Sequence, residues 1–268
     1  MPRESLEQKK QRAAKIVAAL ERNLLRNIVL LKHLAAYPND TLAHQISDGS
    51  GLATLVLLKV AASAYDQRTY ATARYAALIT SDDSTLTQAL LQRIPRGVGI
   101  IFKLSSDADR DVVAQAFAIQ RVTSVLSFTS GAAFTRDEQA EVTPTPDDDA
   151  YHFFAAQDHS RAWLDPLLES GRAFACILRS EGRTLAACFA FENYDRVWEI
   201  GGVYTPPDLR GRGFAGKVVR AAITELRKRD LIPRYQVQED NAPSIRLAES
   251  IGLQLFLTTT HFLRAAAP

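Results

Sequence analysis

The spacing of apolar residues predicts helices at several places along the chain. Residues 4–37 are expected to form one or two helices, because their apolar side chains recur at steps of three and four positions. The positions that share this face are Ile16, Leu20, Leu24, Ile28 and Leu31. The same spacing predicts a later helix with one buried face. Its apolar positions are Val219, Ala222, Ile223 and Leu226.

Short apolar runs rich in β-forming residues replace this pattern from residue 41 to about residue 80. The runs "TLAHQIS", "ATLVLLKVAA" and "ARYAALIT" are separated by polar turn segments and predict antiparallel strands. A helix, a strand, a second helix and a further strand are expected to follow before residue 130.

Turn-forming and acidic residues between 131 and 150 predict a domain boundary at residue 131. The predicted domains are therefore residues 1–130 and residues 131–268, with "AEVTPT" as a candidate first strand of the second. Two helices and three strands follow in the second domain, and then a glycine-rich loop, a helix, a strand, a helix and a last strand. This order predicts an α/β protein with a mixed sheet.

The amino-acid composition argues mainly against nucleic-acid binding, membrane insertion and secretion. The 32 basic and 30 acidic residues give a net charge of +2, so no basic field indicates nucleic acid as a partner. No apolar run is long enough for a membrane helix, and the charged N-terminus does not resemble a secretory signal. Cys176 and Cys188 lie in apolar strand-like runs and are expected to be buried, reduced thiols. We therefore expect a cytoplasmic, soluble protein.

The stretch "LRGRGFAGKVV", residues 209–219, fits three phosphate-binding signatures. "GRGFAG" has the glycine spacing of a dinucleotide fingerprint, and "GRGFAGK" fits all but the last position of a P-loop. "RGRGFA" fits the R/Q-x-x-G-x-G/A loop of acetyltransferases that use acetyl-CoA. The dinucleotide interpretation is weakened by "TPPDL", which separates the strand from Gly211. The P-loop interpretation lacks the Ser or Thr that should follow Lys217, where Val218 stands.

The third interpretation agrees with the elements around the loop. A loop that opens a long helix offers unpaired N–H groups and the positive end of the helix dipole to a phosphate. Glycines let the backbone approach that phosphate closely, and Arg210 and Arg212 add positive charge. A glycine-rich turn with solvated arginines remains the plain alternative.

With this loop, residues 138–268 resemble the GNAT superfamily, the GCN5-related N-acetyltransferases. The resemblance is strongest over residues 197–255, where "IGGVYTPPDLRGRGFAGKVV" is similar to the strand and loop that bind the cofactor. "VQEDNAPSIRLAESIGL" is similar to a later block of the family, in which an asparagine caps a helix. The Thr-Pro-Pro-x-x-Arg-Gly-x-Gly run looks most like the FR47-like branch.

The resemblance implies a GNAT fold in which acetyl-CoA lies in the gap between two splayed parallel strands. Main-chain groups of Val203, Tyr204 and Thr205 would pair with pantetheine. Asn241 would reach the pantetheine arm, and Ser244 could assist, although Asn241 also serves as a plain helix cap. The residues around the loop that would hold the pyrophosphate are Arg210, Gly211, Arg212, Gly213, Phe214, Ala215 and Gly216.

The family chemistry indicates Glu199 as the candidate base, because acetyl transfer requires an unprotonated amine. A glutamate in the apolar run "VWEIGGV" needs a use or a partner, and an arginine is the plain alternative. A main-chain amide near Val203 would receive the oxyanion. Many relatives place a tyrosine as the general acid where this chain has Ala248. Its substitutes would be Tyr204, Tyr235, His261 or solvent.

These residues leave two classes of function open. The first is an N-acetyltransferase that acts on an amine of a small molecule or peptide; the second is a regulatory pseudoenzyme that binds acyl-CoA, which Ala248 favours and Glu199 disfavours. His152 and His159 are expected on the surface, and no metal is expected. One interpretation of residues 1–130 is a degenerate GNAT-like half that shapes the acceptor pocket or forms a homodimer contact.

Overall fold

The computed structural model describes residues 6–49, 51–131 and 140–266. The chain folds as two compact units. The first unit runs up to Val125 and includes the residues from Leu257 onward, and the second unit is Leu126–Phe256. The α/β fold class with a mixed sheet is confirmed, because each unit combines antiparallel and parallel strand pairs.

The first unit has helices before strands, as its apolar pattern predicts. Its helices are α1 (Leu6–Glu21), α2 (Ile28–Ala36), α3 (Ala64–Thr69), α4 (Ser84–Leu90) and α5 (Asp107–Ala116). Its strands are β1 (Thr41–Ser47), β2 (Leu52–Lys59), β3 (Tyr75–Ser81) and β4 (Ile100–Leu104). β5 (Gln120–Thr129) begins in this unit, and β11 (Gln254–Arg264) ends in it. Strands β1, β2 and β3 pair antiparallel, which confirms that prediction, and β3 pairs parallel with β4.

Helix α3 was not predicted, because its sequence reads as a polar break between strands. The Ser63 side chain caps it by accepting a hydrogen bond from the Asp66 amide. The Asp66 carboxylate is fully buried and receives Lys103 Nζ at 2.7 Å. The partner that makes a buried aspartate tolerable is therefore distant in sequence.

A buried histidine in the first unit gives its stability a dependence on pH. His261 Nδ1 lies 2.5 Å from the Tyr70 hydroxyl, and burial, followed by the charge of Lys103, lowers the pKa of His261 from 6.5 to about 3. The unfolded chain therefore binds a proton below pH 6.5 that the folded chain excludes down to about pH 3. As the pH falls through this window, we expect His261 to lower the free energy of unfolding by about 1.4 kcal/mol for each pH unit.

Urea unfolding of the wild type and of His261→Gln between pH 7.5 and pH 4.5 measures this contribution. The glutamine does not titrate, so its free energy of unfolding should fall less steeply with pH than that of the wild type. Parallel pH profiles for the two proteins would contradict the assignment of the pH dependence to His261.

The second unit has two helices on each face of its sheet. Its strands are β6 (Ala140–Thr143), β7 (Ala173–Ser180), β8 (Arg183–Tyr194), β9 (Val197–Tyr204) and β10 (Ile232–Gln238), together with the end of β5. Strands β6 to β9 pair antiparallel, and β9 and β10 pair parallel. Its helices are α6 (Asp148–Ala155), α7 (Arg161–Glu169), α8 (Phe214–Lys228) and α9 (Ala242–Ser250).

Alternation along β8 separates the two faces of this sheet. Ala187 and Phe189 pack with α6 and α7, whereas Cys188 and Ala190 pack with α8. The predicted strand "AEVTPT" is confirmed as β6. The domain boundary predicted at residue 131 stays a prediction, and residues 132–139 beside it lie outside the described residues.

Candidate functional site

The parallel strands β9 and β10 pair over only part of their lengths. The ladder joins Val197–Ile200 to Ile232–Tyr235. Strand β9 continues to Tyr204 and β10 continues to Gln238, beyond the last paired residues. The facing edges of the two strands are therefore no longer paired with each other after Ile200 and Tyr235, which leaves a gap that an extended ligand could enter.

A bulge in β9 explains the Gly201-Gly202 pair. The register of β8 against β9 shifts between Ala187 and Phe189, and Gly202 has a φ of 60°. A Cβ atom at Gly202 would lie 2.2 Å from Cε1 of Phe189, so only glycine fits against this ring. The bulge lies in the part of β9 that still pairs with β8 but has passed the end of its ladder with β10.

The glycine-rich loop opens α8 without a side-chain cap. Gly213 is the N-cap with a φ of 77°, and as a glycine it has no side chain that could accept a hydrogen bond from the first turn. Cβ atoms at Gly211 and Gly213 would meet nothing within 4 Å, so the space above the loop is open. The amides of this turn are therefore available to an anion at the positive end of the helix.

Two buried side-chain oxygen atoms near the strand ends have no hydrogen-bond partner among the described residues. Thr205 Oγ1 follows β9 directly, and Gln236 Oε1 lies on β10 just beyond the last paired residue. A buried polar atom without a partner is costly, so a bound water or a ligand is expected to supply the missing hydrogen bonds. Thr205 was predicted, whereas Gln236 was missed, although a glutamine inside the strand "RYQVQE" is a signal of the same kind.

Helix α9 begins beside the splayed strands. Asn241 Oδ1 accepts a hydrogen bond from the Ser244 amide at 3.2 Å, which confirms the predicted N-cap. The Ser244 hydroxyl lies 2.5 Å from the Tyr235 hydroxyl, and Tyr235 is the last β10 residue in the ladder. Burial raises the pKa of Tyr235, so its phenol keeps its proton. Ala248 lies one turn beyond Ser244 on the same helix and is fully buried.

Glu199 belongs to a polar row that crosses neighbouring strands. Its Oε2 accepts hydrogen bonds from Asn193 Nδ2 at 2.8 Å and from Arg234 Nη1 at 3.0 Å. Arg234 is 1% exposed and also donates to Ser127 Oγ at 3.0 Å. Burial lowers the pKa of Arg234, and the Glu199 charge opposes this shift. The sequence indicated an arginine as a plain alternative, and the structure identifies it as Arg234.

Aromatic rings lie beside Glu199 on the face covered by α6 and α7. The His159 ring meets Phe189 edge-on at 4.9 Å between centroids, and Trp163 meets Phe191 edge-on at 5.1 Å. Burial lowers the pKa of His159, and the nearby Glu199 charge opposes this shift. His152 is exposed as predicted, whereas His159 is only partly exposed, because one side of its ring packs into this aromatic cluster.

The comparisons with known proteins agree with this geometry. The family model "Acetyltransferase (GNAT) family" matches residues 134–253. Residues 134–253 thus form a GNAT domain. This match supports an acyltransferase. No curated protein sequence matches the chain.

Solved structures share the fold at low sequence identity. An acetyltransferase from the GNAT family of Colwellia psychrerythraea has a TM-score of 0.57 at 14% identity, covering 98% of both chains. A GCN5-related N-acetyltransferase from Sphaerobacter thermophilus has a TM-score of 0.53 at 13% identity, covering 81% of this chain and 77% of its own. A Drosophila protein has a TM-score of 0.53 at 14% identity, covering 94% and 88%.

Metal-binding groups and membrane-spanning helices are both absent from the described residues. Among residues 6–49, 51–131 and 140–266, no group of three or more His, Cys, Asp or Glu side chains could hold a metal ion. In the same part of the chain, each helix is too short or too polar to cross a membrane.

Proposed function

We propose that residues 131–268 form an N-acetyltransferase domain of the FR47-like branch, with residues 1–130 as an additional, degenerate GNAT-like domain. The domain would transfer the acetyl group of acetyl-CoA to a primary amine of a small molecule or peptide in a ternary complex. The observation that carries the proposal is the uncapped α8 turn beside strands that part after Ile200 and Tyr235.

The residues present fit acetyl-CoA as the donor. The main chain at Val203, Tyr204 and Thr205 continues β9 beyond its ladder, where pantetheine amides could pair with it. The orphaned oxygens of Thr205 and Gln236 support a ligand with N–H or O–H groups here. The amides from Arg210 to Gly216 would hold the pyrophosphate, and Asn241 and Ser244 lie at the start of the helix that follows β10.

Glu199 is our proposed base. Its Oε2 is held by Asn193 and Arg234, and Oε1 receives no hydrogen bond from the described residues. The held oxygen fixes the carboxylate, and the other oxygen is left to take a proton from the ammonium form of the acceptor. The amine nitrogen then forms a bond to the acetyl carbon while the carbon–sulfur bond breaks, and the second proton that the nitrogen releases balances the proton that the departing thiolate takes up.

Tyr235 is our proposed general acid in place of the tyrosine that is absent at Ala248. Its phenol reaches the face of α9 that carries Ser244 and Ala248, four positions apart. Its raised pKa keeps a proton available for the leaving thiolate. A main-chain amide near Val203 would stabilise the oxyanion.

We also propose that the protein is cytoplasmic and forms a homodimer. Cys176 and Cys188 lie opposite each other in the β7–β8 register as buried thiols that are not joined in a disulfide. Neighbouring thiols that stay reduced fit a reducing compartment such as the cytoplasm. A homodimer is the assembly that we propose to test, by light scattering.

Acetyl-CoA is expected to raise the melting temperature more than NAD or ATP at equal concentration. Ligand binding to the folded state contributes about 2.7 kcal/mol at a hundredfold excess over Kd. Differential scanning fluorimetry measures the shift, and thiol release over a panel of amines separates an enzyme from a regulatory binder. An equal shift with ATP would favour the P-loop interpretation instead.

Gly213→Glu is expected to weaken CoA binding at least tenfold, or about 1.4 kcal/mol. The added carboxylate would occupy the open space above the α8 amides and repel the pyrophosphate. The matched control is Gly182→Glu, because Gly182 has a φ of 75° and equally open surroundings in a turn of the same unit. Isothermal titration of both variants should show the loss only at position 213. Equal affinities would remove the loop as the phosphate site.

A further inference from the structure

The rings beside Glu199 form a partly exposed aromatic surface in the GNAT domain. Phe191 lies directly opposite Glu199 in the β8–β9 register. Trp163 packs on Phe191 and on His159, at 5.1 and 5.6 Å between ring centroids. Trp163 is nevertheless 41% exposed. Adjoining aromatic rings that remain exposed mark a binding surface more strongly than scattered apolar residues do.

This surface lies beside the bulge in β9. A Cβ atom at Gly201 would meet Phe189 at 3.3 Å and Phe191 at 3.8 Å, so the rings cover the bulged backbone closely. Glu199 lies two residues before Gly201 on the same face of the strand. A molecule that rests on Trp163 and Phe191 would therefore have the Glu199 carboxylate within its reach.

The charges around this surface restrict the kind of amine. The Glu199 charge is compensated by buried Arg234, and the other negative charge that acts on His159 is that of the exposed Asp158 carboxylate. Burial keeps His159 neutral near pH 7, so it does not repel a single ammonium group. The recognition that remains is ring contact, which changes affinity by about two- to tenfold for one aromatic pair.

We infer that the acceptor is a monoamine that carries an aromatic ring, with the ring against Trp163 and Phe191 and the nitrogen toward Glu199. The inference rests on the proposed acetyl transfer and adds the substrate class. Polyamines and aminoglycosides are disfavoured, because their several positive charges would meet the Glu199 carboxylate, which Arg234 compensates, and the Asp158 carboxylate, which is exposed to solvent.

A panel of amines at saturating acetyl-CoA tests the inference. We expect kcat/KM for 2-phenylethylamine to exceed that for n-butylamine and for spermidine by about tenfold. Trp163→Ala should bring the ratio of 2-phenylethylamine to n-butylamine close to one, and Trp163→Phe should preserve most of it. Leu255→Ala is the control, because it removes an apolar side chain that is 52% exposed elsewhere in the second unit.

The outcomes separate the substrate class from the reaction. Equal or better acetylation of n-butylamine or spermidine would overturn the inference and leave acetyl transfer standing. A Trp163→Ala effect on the KM of benzoyl-CoA, with no change in amine preference, would also overturn it, because the rings would then hold the acyl group.

Calorimetry of 2-phenylethylamine binding in the presence of CoA tests the ring site without turnover. If 2-phenylethylamine binds in a way that depends on Trp163 but is not acetylated, the ring site is supported and the acetyl transfer is rejected. If it neither binds nor is acetylated, both the ring site and the acetyl transfer are rejected.

Discussion

Glu199→Gln is expected to lower kcat/KM for amine acetylation by about 10² to 10⁴ at pH 7. Glutamine keeps the shape of the side chain and can still accept hydrogen bonds from Asn193 and Arg234. It cannot take a proton from the ammonium form of the acceptor. The loss should shrink at high pH, where more of the amine is already unprotonated. CoA affinity should stay nearly unchanged, because the loop that opens α8 is untouched.

The ion pair with Arg234 requires a control for this experiment. Glu199→Gln also removes the charge that compensates a buried guanidinium, so the variant should lose stability as well as rate. Arg234→Gln disturbs the same pair from the other side and leaves the carboxylate in place. Both variants should be compared at a temperature where each is folded, as judged by circular dichroism.

A base at Glu199 predicts a further contrast between these variants. Glu199→Gln should reduce kcat at least tenfold more than Arg234→Gln does. Only the kcat of Glu199→Gln should recover at high pH. A folded Glu199→Gln protein with the wild-type rate at pH 7 would contradict the assignment of Glu199 as the base. Equal losses in both variants, with no recovery at high pH, would make the pair structural.

Local sequence was sufficient to predict the backbone features of the proposed cofactor site. The glycines of "RGRGFAG", the Asn241 cap and the Gly201-Gly202 pair each depend on backbone conformation within a few residues. Glycine in the left-handed region and asparagine at a helix start are required by the backbone itself. These features could therefore be predicted without knowing which strands are neighbours.

The acceptor side depends on contacts between residues that are far apart in sequence. Arg234 meets Glu199 and Ser127 only because β10 lies beside β9 and β5. His159 looked like a surface histidine because its loop is polar, whereas Phe189 and Trp163 cover one side of its ring. Periodicity assigns a residue to a face of a strand, but it does not identify the residues on the neighbouring strand.

Arg234→Met is expected to lower the free energy of unfolding by about 3 to 5 kcal/mol. Methionine fills a similar space but leaves the Glu199 carboxylate, which is 17% exposed, without its countercharge. The Ser127 hydroxyl also loses its donor. The control is Arg229→Met, because Arg229 pairs with Glu225 at 40% exposure, where an ion pair contributes about 0 to 1 kcal/mol.

The double variant Arg234→Met, Glu199→Met tests the cause of this loss. If the loss comes from an uncompensated buried carboxylate, removing the carboxylate should recover most of it, since apolar pairs often replace buried ion pairs without cost. Urea unfolding of the two single variants and the double variant forms a mutant cycle that isolates the coupling. A loss at Arg234 no larger than that at Arg229, or a double variant as unstable as the sum of the singles, would show that the pair does not stabilise this sheet.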